Sequence, residues 1–251
     1  MRELSKRLSA IADFVPEGCI PADVGCDHGY LPIHLILNGV VKEALAMDVR
    51  EGPLKRAEAH IRSYGLEGRI QTRLSDGLRE LKEGEADTII LAGMGGGLMA
   101  RILSGRAHVK DDVHTYILSP HSEWERLRRY LREEGLAIVK EEMVEEDGKF
   151  YPVLQVKDSG GAYPESGTWP PGRWEDRYGP LLLESGHPVL RCYLEKRREK
   201  LREIRERLAG ASGEKALQRL AELEEELREI ETIRVRWQKS KRNSEKKGDQ
   251  G

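Results

Sequence analysis

Short apolar runs alternate with helix-like segments through the first half of the chain. The runs start at residues 20, 44, 70, 88 and 115, and a glycine, an acidic residue or a serine stands at the end of each. Apolar runs of this length between turn residues predict β-strands, and apolar positions three and four apart between them predict helices. Repeated βα units predict a parallel sheet with helices on both faces, in which ligands bind at the carboxyl ends of the strands.

Two further patterns flank these units. Apolar positions at Leu4, Leu8 and Ile11 predict an amphipathic helix before the first strand, and we expect it to cover an edge of the domain. Residues 136–144 and 150–156 are two apolar stretches around a turn, which predicts a β-hairpin. A hairpin at this place would end the parallel sheet with an antiparallel last strand.

The C-terminal part of the chain has a different character. Residues 157–180 are rich in glycine and proline and have no helical or strand period, which predicts a loop. The aromatic rings of this loop either pack onto the domain or stack with bases; they are Tyr163, Trp169, Trp174 and Tyr178. Beyond the loop, leucine steps of three and four residues predict an antiparallel hairpin of two coiled-coil helices. From Lys239 onward the chain is charged without an apolar period, and we expect disorder.

The sequence therefore predicts an α/β protein in four parts. They are a Rossmann-like domain with its N-terminal helix (1–156), a connection (157–187), a helical hairpin (188–237) and a charged tail (238–251). A length of 251 residues, of which 38% are apolar, suffices for one doubly wound domain and an appendage.

Composition narrows the cellular setting more than the function. Three cysteines (Cys19, Cys26 and Cys192) are odd in number and lack metal-like spacing, which favours a reducing cytoplasm and no bound metal. The sequence has neither a signal-peptide pattern nor an apolar run of about eighteen residues, so we expect neither secretion nor a membrane span. A net charge of −2 leaves nucleic-acid binding open, because it depends on how charge is distributed locally.

Charge is segregated between the two predicted hairpin helices. Residues 191–208 carry eight basic residues against four glutamates, whereas residues 214–237 carry five against seven. The first helix could follow a phosphate backbone while the second supports it. The alternatives are a solvated coiled coil and an arm that forms a homodimer.

The most informative stretch is the glycine turn after the first strand. Gly25 and Gly29 are four residues apart, Asp23 precedes them and Asp27 lies between them. This spacing lacks the GxGxxG of dinucleotide binders, and two carboxylates would repel a pyrophosphate but suit a cofactor with cationic groups. Asp48, at the end of the second strand, stands where an acid accepts hydrogen bonds from both ribose hydroxyls.

Four motifs together carry a family resemblance. DVGCDHGYLP, AMDVREGPL, SDGL and LAGMGGGLM, in this order, resemble the class I methyltransferases that use S-adenosylmethionine (SAM). More narrowly, the set is similar to the bacterial TrmK family, which methylates N1 of the adenine at tRNA position 22. The similarity covers residues 1–156 and resumes in the helical region. It implies SAM as cofactor and tRNA as partner.

The resemblance also implies a set of cofactor-binding residues. Asp48 would hold the ribose, the glycine turn would hold the methionine end, and Asp76 would grip the adenine. The alternatives are a helix N-cap for Asp76 and a plain first-turn residue for His28. The residues expected to contact the cofactor are Gly25, Asp27, His28, Gly29, Asp48, Asp76, Gly77, Gly93 and Met94.

The fourth motif suggests which atom is methylated. Enzymes that methylate an exocyclic amine commonly place Asn or Asp, two prolines and an aromatic residue here, whereas this chain has Gly93-Met94-Gly95-Gly96. Ring N1 has a lone pair and no proton to lose, so alignment and exclusion of water suffice. A flipped base would lie against the glycines with Met94 as a wall. A carboxylate such as Asp23 or Asp27 would stabilise the developing positive charge.

The residues assigned to catalysis are therefore Asp23, Asp27, Gly93, Met94 and Gly95. Two other functions stay open: methylation of a small molecule or protein, and a noncatalytic RNA-binding scaffold. The intact motif set argues against the scaffold, and the appended basic helix argues against a small substrate. A nicotinamide enzyme is disfavoured because the GxGxxG motif is missing.

Overall fold

The computed structural model describes residues 3–158, 173–208, 210 and 213–248, with the side chains of residue 173 and of residues 240–248 left undescribed. The chain divides into two compact units, Met1–Leu182 and Leu183–Gly251. Among the described helices, none has the length and apolarity needed to cross a membrane.

The first unit is built on one seven-stranded sheet. Its strands are β1 Pro21–Val24, β2 Ala44–Asp48, β3 Ile70–Leu74, β4 Thr88–Ala92, β5 Thr115–Ser119, β6 Leu136–Glu146 and β7 Lys149–Asp158. The order in space is β3-β2-β1-β4-β5-β7-β6. Strands β1 to β5 pair in parallel, and β7 is antiparallel to both β5 and β6. The predicted Rossmann-like sheet with an antiparallel last strand is confirmed.

The described α-helices that precede β6 cover the two faces of this sheet, and the other described helices follow β7 in the chain. The helices are α1 Lys6–Ala12, α2 Tyr30–Leu37, α3 Glu51–Ser63, α4 Gly96–Ser104, α5 Trp124–Glu133, α6 Arg173–Tyr178, α7 Pro180–Ser185, α8 Pro188–Leu208 and α9 Glu214–Gly248. Helices α1 to α3 contribute Ile11, Leu35 and Ile61 to one core, and α4 and α5 contribute Met99 and Leu127 to the other. The central strands are buried on both faces, which is why their sequences are nearly continuous apolar runs.

The β6–β7 hairpin is longer than the sequence predicted. Pairing of β5 with β7 ends at Leu118 and Leu154, whereas pairing of β6 with β7 continues to Glu146 and Lys149. Asp147 and the next glycine have φ angles of 50° and 72°, which suit a tight hairpin turn. The tip of the hairpin therefore extends beyond the carboxyl end of β5.

Part of the predicted loop 157–180 is helical. Residues 173–178 form α6, where Tyr178 is 1% exposed and Trp174 is half-buried. Burial of Tyr178 supports the packing interpretation for that ring, while Tyr163 and Trp169 lie outside the described residues. The glycine and proline content concealed α6 because the helix is short and is held by partners far away in sequence.

In the second unit, α8 and α9 pack antiparallel. The buried seam consists of Leu190, Leu194, Leu201, Leu223, Ile230, Ile233 and Trp237. Glu195 on α8 pairs with Arg234 on α9 at 2.7 Å and Arg197 pairs with Glu226 at 2.6 Å, so the partners on α9 come earlier in the chain as α8 advances. The predicted helical hairpin is present, and its coiled-coil geometry stays a prediction.

Helix α9 continues to Gly248, although the sequence predicted disorder from residue 238. The segment after Trp237 contains no proline, and it contains no glycine before Gly248. Its lysine, arginine, glutamate and glutamine residues have good helix propensity, so an established helix extends through them.

Candidate active site at the carboxyl edge of the sheet

The glycine turn after β1 folds back onto the end of β2. Gly25, Asp27 and Gly29 have φ angles of 84°, 45° and 68°, so the turn passes three times through the left-handed region. The N–H groups of Gly25 and Cys26 donate to the carbonyl oxygen of Met47 at 2.8 and 3.0 Å. Glycine is required at two of these positions because a side chain there would be strained. The turn is therefore packed tightly against the end of β2 and is not an open loop.

The turn directly contacts the loop after β4, residues 93–95 (the β4 loop). A Cβ atom on Gly25 would lie 3.0 Å from Cε of Met94. On its other side, a Cβ atom on Gly29 would lie 3.2 Å from Cβ of Ala57 on α3. Gly29 is the N-cap of α2 and has no side chain, so the positive end of the α2 dipole faces the turn without a side-chain cap and suits an anionic group. The first and fourth sequence motifs are thus neighbours in space.

Two buried carboxylates stand at the ends of β1 and β2. Asp23 is 6% exposed and Asp48 is 5% exposed. Burial, and after it the negative charge of Asp48, raises the pKa of Asp23 to about 7. Oδ1 of Asp48 accepts from the N–H of Arg50 at 2.9 Å, and no described residue donates to Oδ2. Within the described part of the chain, Asp23 has no cation and no hydrogen-bond donor.

Asp27 and His28 are engaged in contacts of their own. Asp27 is exposed and pairs with Nη2 of Arg56 at 3.0 Å and with Nε2 of His28 at 3.5 Å. The ring of His28 stacks with Tyr30 and His60 at centroid distances of 5.2 and 5.5 Å, while its Nδ1 is buried without a partner. These contacts leave both residues at the rim of the turn, where Asp27 shares its charge with Arg56.

The loop after β3 bears on the two roles that the sequence left open for Asp76. No helix is described between β3 and β4, so Asp76 caps none. Ser75 closes the turn instead: its Oγ accepts from the N–H of Glu80 at 3.2 Å and donates to the carbonyl of Gly77 at 2.8 Å. Asp76 has an exposed side chain 3.2 Å from Nη1 of Arg79. It lines a cavity of about 280 Å³ together with Leu78, Arg79, Arg101, Ile102, Ser104 and Gly105. A flat heterocycle could bind there against Ile102.

The β4 loop is held from behind by the β5–α5 loop. The N–H of Gly93 donates to Ser119 at 3.2 Å, and the carbonyl of Met94 accepts from the N–H of His121 at 3.1 Å. A Cβ atom on Gly95 would lie 2.9 Å from Oε2 of Glu123. The side chain of Glu123 therefore lies against Gly95, whereas Gly93 is exposed at the edge of the sheet.

Comparison with known proteins identifies the family. A family model described as a methyltransferase domain matches residues 4–154. The tRNA (adenine(22)-N(1))-methyltransferase of Bacillus subtilis (strain 168) is 39% identical over 163 residues, which are 64% of this chain and 68% of the relative. The crystal structure of the B. subtilis m1A22 tRNA methyltransferase TrmK superimposes with a TM-score of 0.78 at 32% identity, covering 92% of this chain and 98% of that one. This chain belongs to the TrmK family.

Membership of the TrmK family establishes SAM as the cofactor. A Streptococcus pneumoniae protein solved in complex with SAM has a TM-score of 0.79 at 35% identity, covering 92% of this chain and 99% of that one. The residues at the sheet edge fit such a cofactor. The acids Asp23 and Asp48 suit its cationic and hydroxyl groups, and the uncapped N-terminus of α2 suits its carboxylate.

Cys26, beside the TrmK glycine turn, takes no chemical part in this arrangement. It is buried, and desolvation together with the charges of Asp23 and Asp48 raises the pKa of its thiol. A neutral thiol in this position is a poor nucleophile. Cys26 therefore serves as a small packing residue, as the sequence predicted.

Sequence reasoning missed one side chain at this TrmK site. Arg7 on α1 reaches the β4 loop, where its Nη1 lies 3.5 Å from the position of a Cβ atom on Gly93. Its guanidinium lies over the ring of Tyr151, 5.1 Å from the centroid. The signal in the sequence was the basic character of α1, but nothing in the spacing distinguished Arg7 from Lys6.

Proposed function

We propose that this chain transfers the methyl group of SAM to N1 of adenine 22 in tRNA at the carboxyl edge of its sheet. The observation that carries this assignment is the contact of the Gly25 turn with Met94, beside the buried pair Asp23 and Asp48. These groups bring a cation-binding pocket and a side-chain-free loop to one point. Such a pocket suits a sulfonium cofactor with a planar base beside it.

Each end of the cofactor has a matching group. Asp48 accepts from the ribose hydroxyls through the oxygen that Arg50 leaves open. Asp76 and the cavity beside Ile102 receive the adenine ring. Asp23 faces the cationic methionine end, and the N-terminus of α2 receives its carboxylate. When bound, SAM supplies an activated methyl group.

Methylation at N1 asks little acid–base chemistry of the protein. The N1 lone pair lies in the plane of the ring and carries no proton, so no general base is needed. The chain's contribution is to hold the base edge-on beside Gly93 and Met94 and to exclude water. Asp23, when ionised, stabilises the positive charge that develops on the ring.

The test is product analysis. Unmodified tRNA is incubated with the protein and SAM, digested to nucleosides and analysed by mass spectrometry with authentic N1- and N6-methyladenosine standards. We expect N1-methyladenosine, and none from a transcript that carries guanosine at position 22. An N6-methyl product would overturn the interpretation of Gly93 to Gly96, and product from the guanosine transcript would overturn the position.

The helical hairpin is proposed to bind the tRNA backbone. Arg197 pairs bidentately with Glu226 at 2.6 and 2.9 Å, so its charge is already committed. In contrast, Arg202, Arg205 and Arg228 line a groove of about 360 Å³ and have no ion pair within the described residues. Three uncommitted guanidinium groups in one groove suit a run of phosphates.

Charge-matched variants test the hairpin. Changing Arg202, Arg205 and Arg228 to Gln should weaken tRNA binding and reduce the salt dependence by about 0.7 to 0.9 in log-log slope per lost contact. The control changes three exposed basic residues outside the groove to Gln, namely Lys200, Arg207 and Lys215. Equal effects of the two sets would contradict a specific groove. If the groove variant changed the sedimentation coefficient instead, the hairpin would be a homodimer interface.

Localisation is part of the same proposal. The substrate is tRNA, and Cys19, Cys26 and Cys192 form no disulfide in the structure. Both features suit the reducing cytoplasm. Cell fractionation with an antibody against the protein tests this placement, and recovery in the membrane fraction would contradict it.

A further inference from the structure

Three separate elements converge on Arg7. The residue lies in the first turn of α1, its guanidinium stacks over Tyr151 near the tip of the β6–β7 hairpin, and its Nη atoms lie 3.5 and 3.8 Å from the position of a Cβ atom on Gly93. Because the hairpin extends beyond the end of β5, this meeting point stands above the edge of the sheet. Arg7 thus forms a wall of the place where the target base is proposed to lie.

The charge of Arg7 has no counterpart in the described part of the chain. Its guanidinium makes no ion pair there, and its Nε atom is buried without a hydrogen-bond partner. The nearby acid Glu146 accepts only from the backbone N–H of Arg7, at 3.4 Å. A half-buried cation without an acceptor is costly, whereas Arg56 in the same region has its carboxylate. An anion bound at Arg7 would supply the acceptor that its guanidinium lacks.

Two anions come near this point, and the geometry favours one. The carboxylate of the cofactor has the uncapped N-terminus of α2 beside the Gly25 turn. Arg7 lies against the exposed Gly93 and the projecting hairpin, which is where the RNA chain must pass if the base enters beside Met94. We infer that Arg7 binds the phosphate of the target nucleotide and so fixes the base beside Gly93. This inference rests on the proposed function.

The same contact explains how a cation can stand beside a reaction that creates positive charge. A phosphate bound to Arg7 neutralises the guanidinium, so the charge that develops on the methylated ring meets no net repulsion there. Tyr151 is a positioning residue, because its ring holds the guanidinium plane over the site. The planar guanidinium of an arginine can donate two hydrogen bonds to two phosphate oxygens at once, whereas the ammonium of a lysine matches this geometry less well.

The first experiment separates substrate from cofactor. Arg7→Ala should lower kcat/KM for tRNA about tenfold or more, because a charged hydrogen bond is lost. Its affinity for S-adenosylhomocysteine, measured by calorimetry, should stay within about twofold of the wild type. Arg7→Lys should recover part of the loss, and the matched control Lys6→Ala, an exposed neighbour on α1, should behave as wild type.

The second experiment identifies the anion, and its first measurement uses only the wild-type protein. A tRNA with a single uncharged methylphosphonate linkage on the 5′ side of adenosine 22 should be a poorer substrate for the wild type by about the same factor as Arg7→Ala. With Arg7→Lys the modified linkage should cost less, and with Arg7→Ala it should cost nothing further. Thermal melting of each variant shows that it is folded.

The outcomes are distinct. Independent, multiplicative losses from the variant and the methylphosphonate would show that Arg7 does not touch that phosphate and would overturn the inference. A fall in S-adenosylhomocysteine affinity with unchanged tRNA kinetics would assign Arg7 to the cofactor carboxylate. Failure of the wild type to form N1-methyladenosine in unmodified tRNA would instead refute the proposed function, and the inference with it.

Discussion

Two buried carboxylates in the first unit have opposite surroundings. The side chain of Glu141 on β6 is fully buried. It accepts from Nε of Arg128 at 3.0 Å and from the N–H groups of Leu181 and Leu182 at 3.1 and 3.2 Å. Asp23 at the end of β1 is 6% exposed and has no donor among the described residues. Burial raises the pKa of both groups, but Arg128 opposes the rise for Glu141, whereas Asp48 adds to it for Asp23.

The difference indicates that Glu141 stabilises the fold, whereas Asp23 is placed to bind a ligand. Arg128 also donates to the carbonyl oxygens of Asp176 and Arg177 at 3.2 and 3.4 Å, so its pair with Glu141 joins α5, β6 and α6. These partners of Arg128 and Glu141 are thus all groups of the protein. Asp23 has no such partner among the described residues, and we propose that the cationic end of the cofactor supplies one.

The largest expected effect comes from breaking the satisfied pair. Glu141→Leu leaves Arg128 buried without a carboxylate and should lower the free energy of unfolding by about 3 to 5 kcal/mol, measured in urea. The double variant Arg128→Met/Glu141→Leu should recover much of this loss because no buried charge remains. A single-variant loss below about 1 kcal/mol would place Glu141 with ordinary surface acids.

The second effect concerns the cofactor. Asp48→Ala removes the acceptor for two ribose hydroxyls, and SAM affinity measured by calorimetry should fall by about 1.5 to 3 kcal/mol, roughly tenfold to a hundredfold. The control Asp48→Asn keeps one acceptor oxygen and should lose less. Unchanged affinity in a folded Asp48→Ala protein would remove Asp48 from the site.

The third effect is a pH dependence with a fixed sign. Because the pKa of Asp23 is raised to about 7, the residue is mostly protonated at pH 6 and mostly ionised at pH 8. A cationic ligand favours the ionised form, so SAM affinity should rise about tenfold from pH 6 to pH 8, with proton release. Asp23→Asn should flatten this dependence. A wild-type affinity independent of pH in this range would contradict the assignment.

The smallest effect is expected at Asp27. Its carboxylate is exposed and already shared with Arg56, so Asp27→Asn should weaken SAM binding by no more than about fivefold. The same calorimetry measures it. A loss as large as that of Asp48→Ala would mean that Arg56 leaves Asp27 when the cofactor binds.

Local sequence patterns predicted most of the sheet and little of what stabilises its edges. The bounds of β2 and β4 agree with the predicted runs because each strand is a short buried segment between turn residues. The bounds of β3 also agree, although Ile70 is the one buried residue of that strand. Helix α6 was missed because its stability depends on Arg128 and Arg132, which lie on α5 and bind Asp176. No window of sequence contains that information.

The candidate site shows the same division. Asp23, Asp48 and the glycine turn carry local signals, since each follows a strand at the same edge of the sheet. The basic character of α1 did not single out Arg7, because its partner Tyr151 comes from the last strand and its neighbour Gly93 follows the fourth. Only the folded chain brings these residues together. The individual roles of the predicted site residues stay predictions for the experiments above.

The two glycines that begin α4 also limit how this enzyme can change over evolution. A side chain at Gly96 would collide with the carbonyl oxygen of Glu123, and one at Gly97 would come within 2.7 Å of Arg126. The guanidinium of Arg126 can swing aside, but the backbone of Glu123 cannot. A bulkier residue at Gly96 would therefore need a different course of the β5–α5 loop, so an ancestor or an engineer would have to change the two segments together.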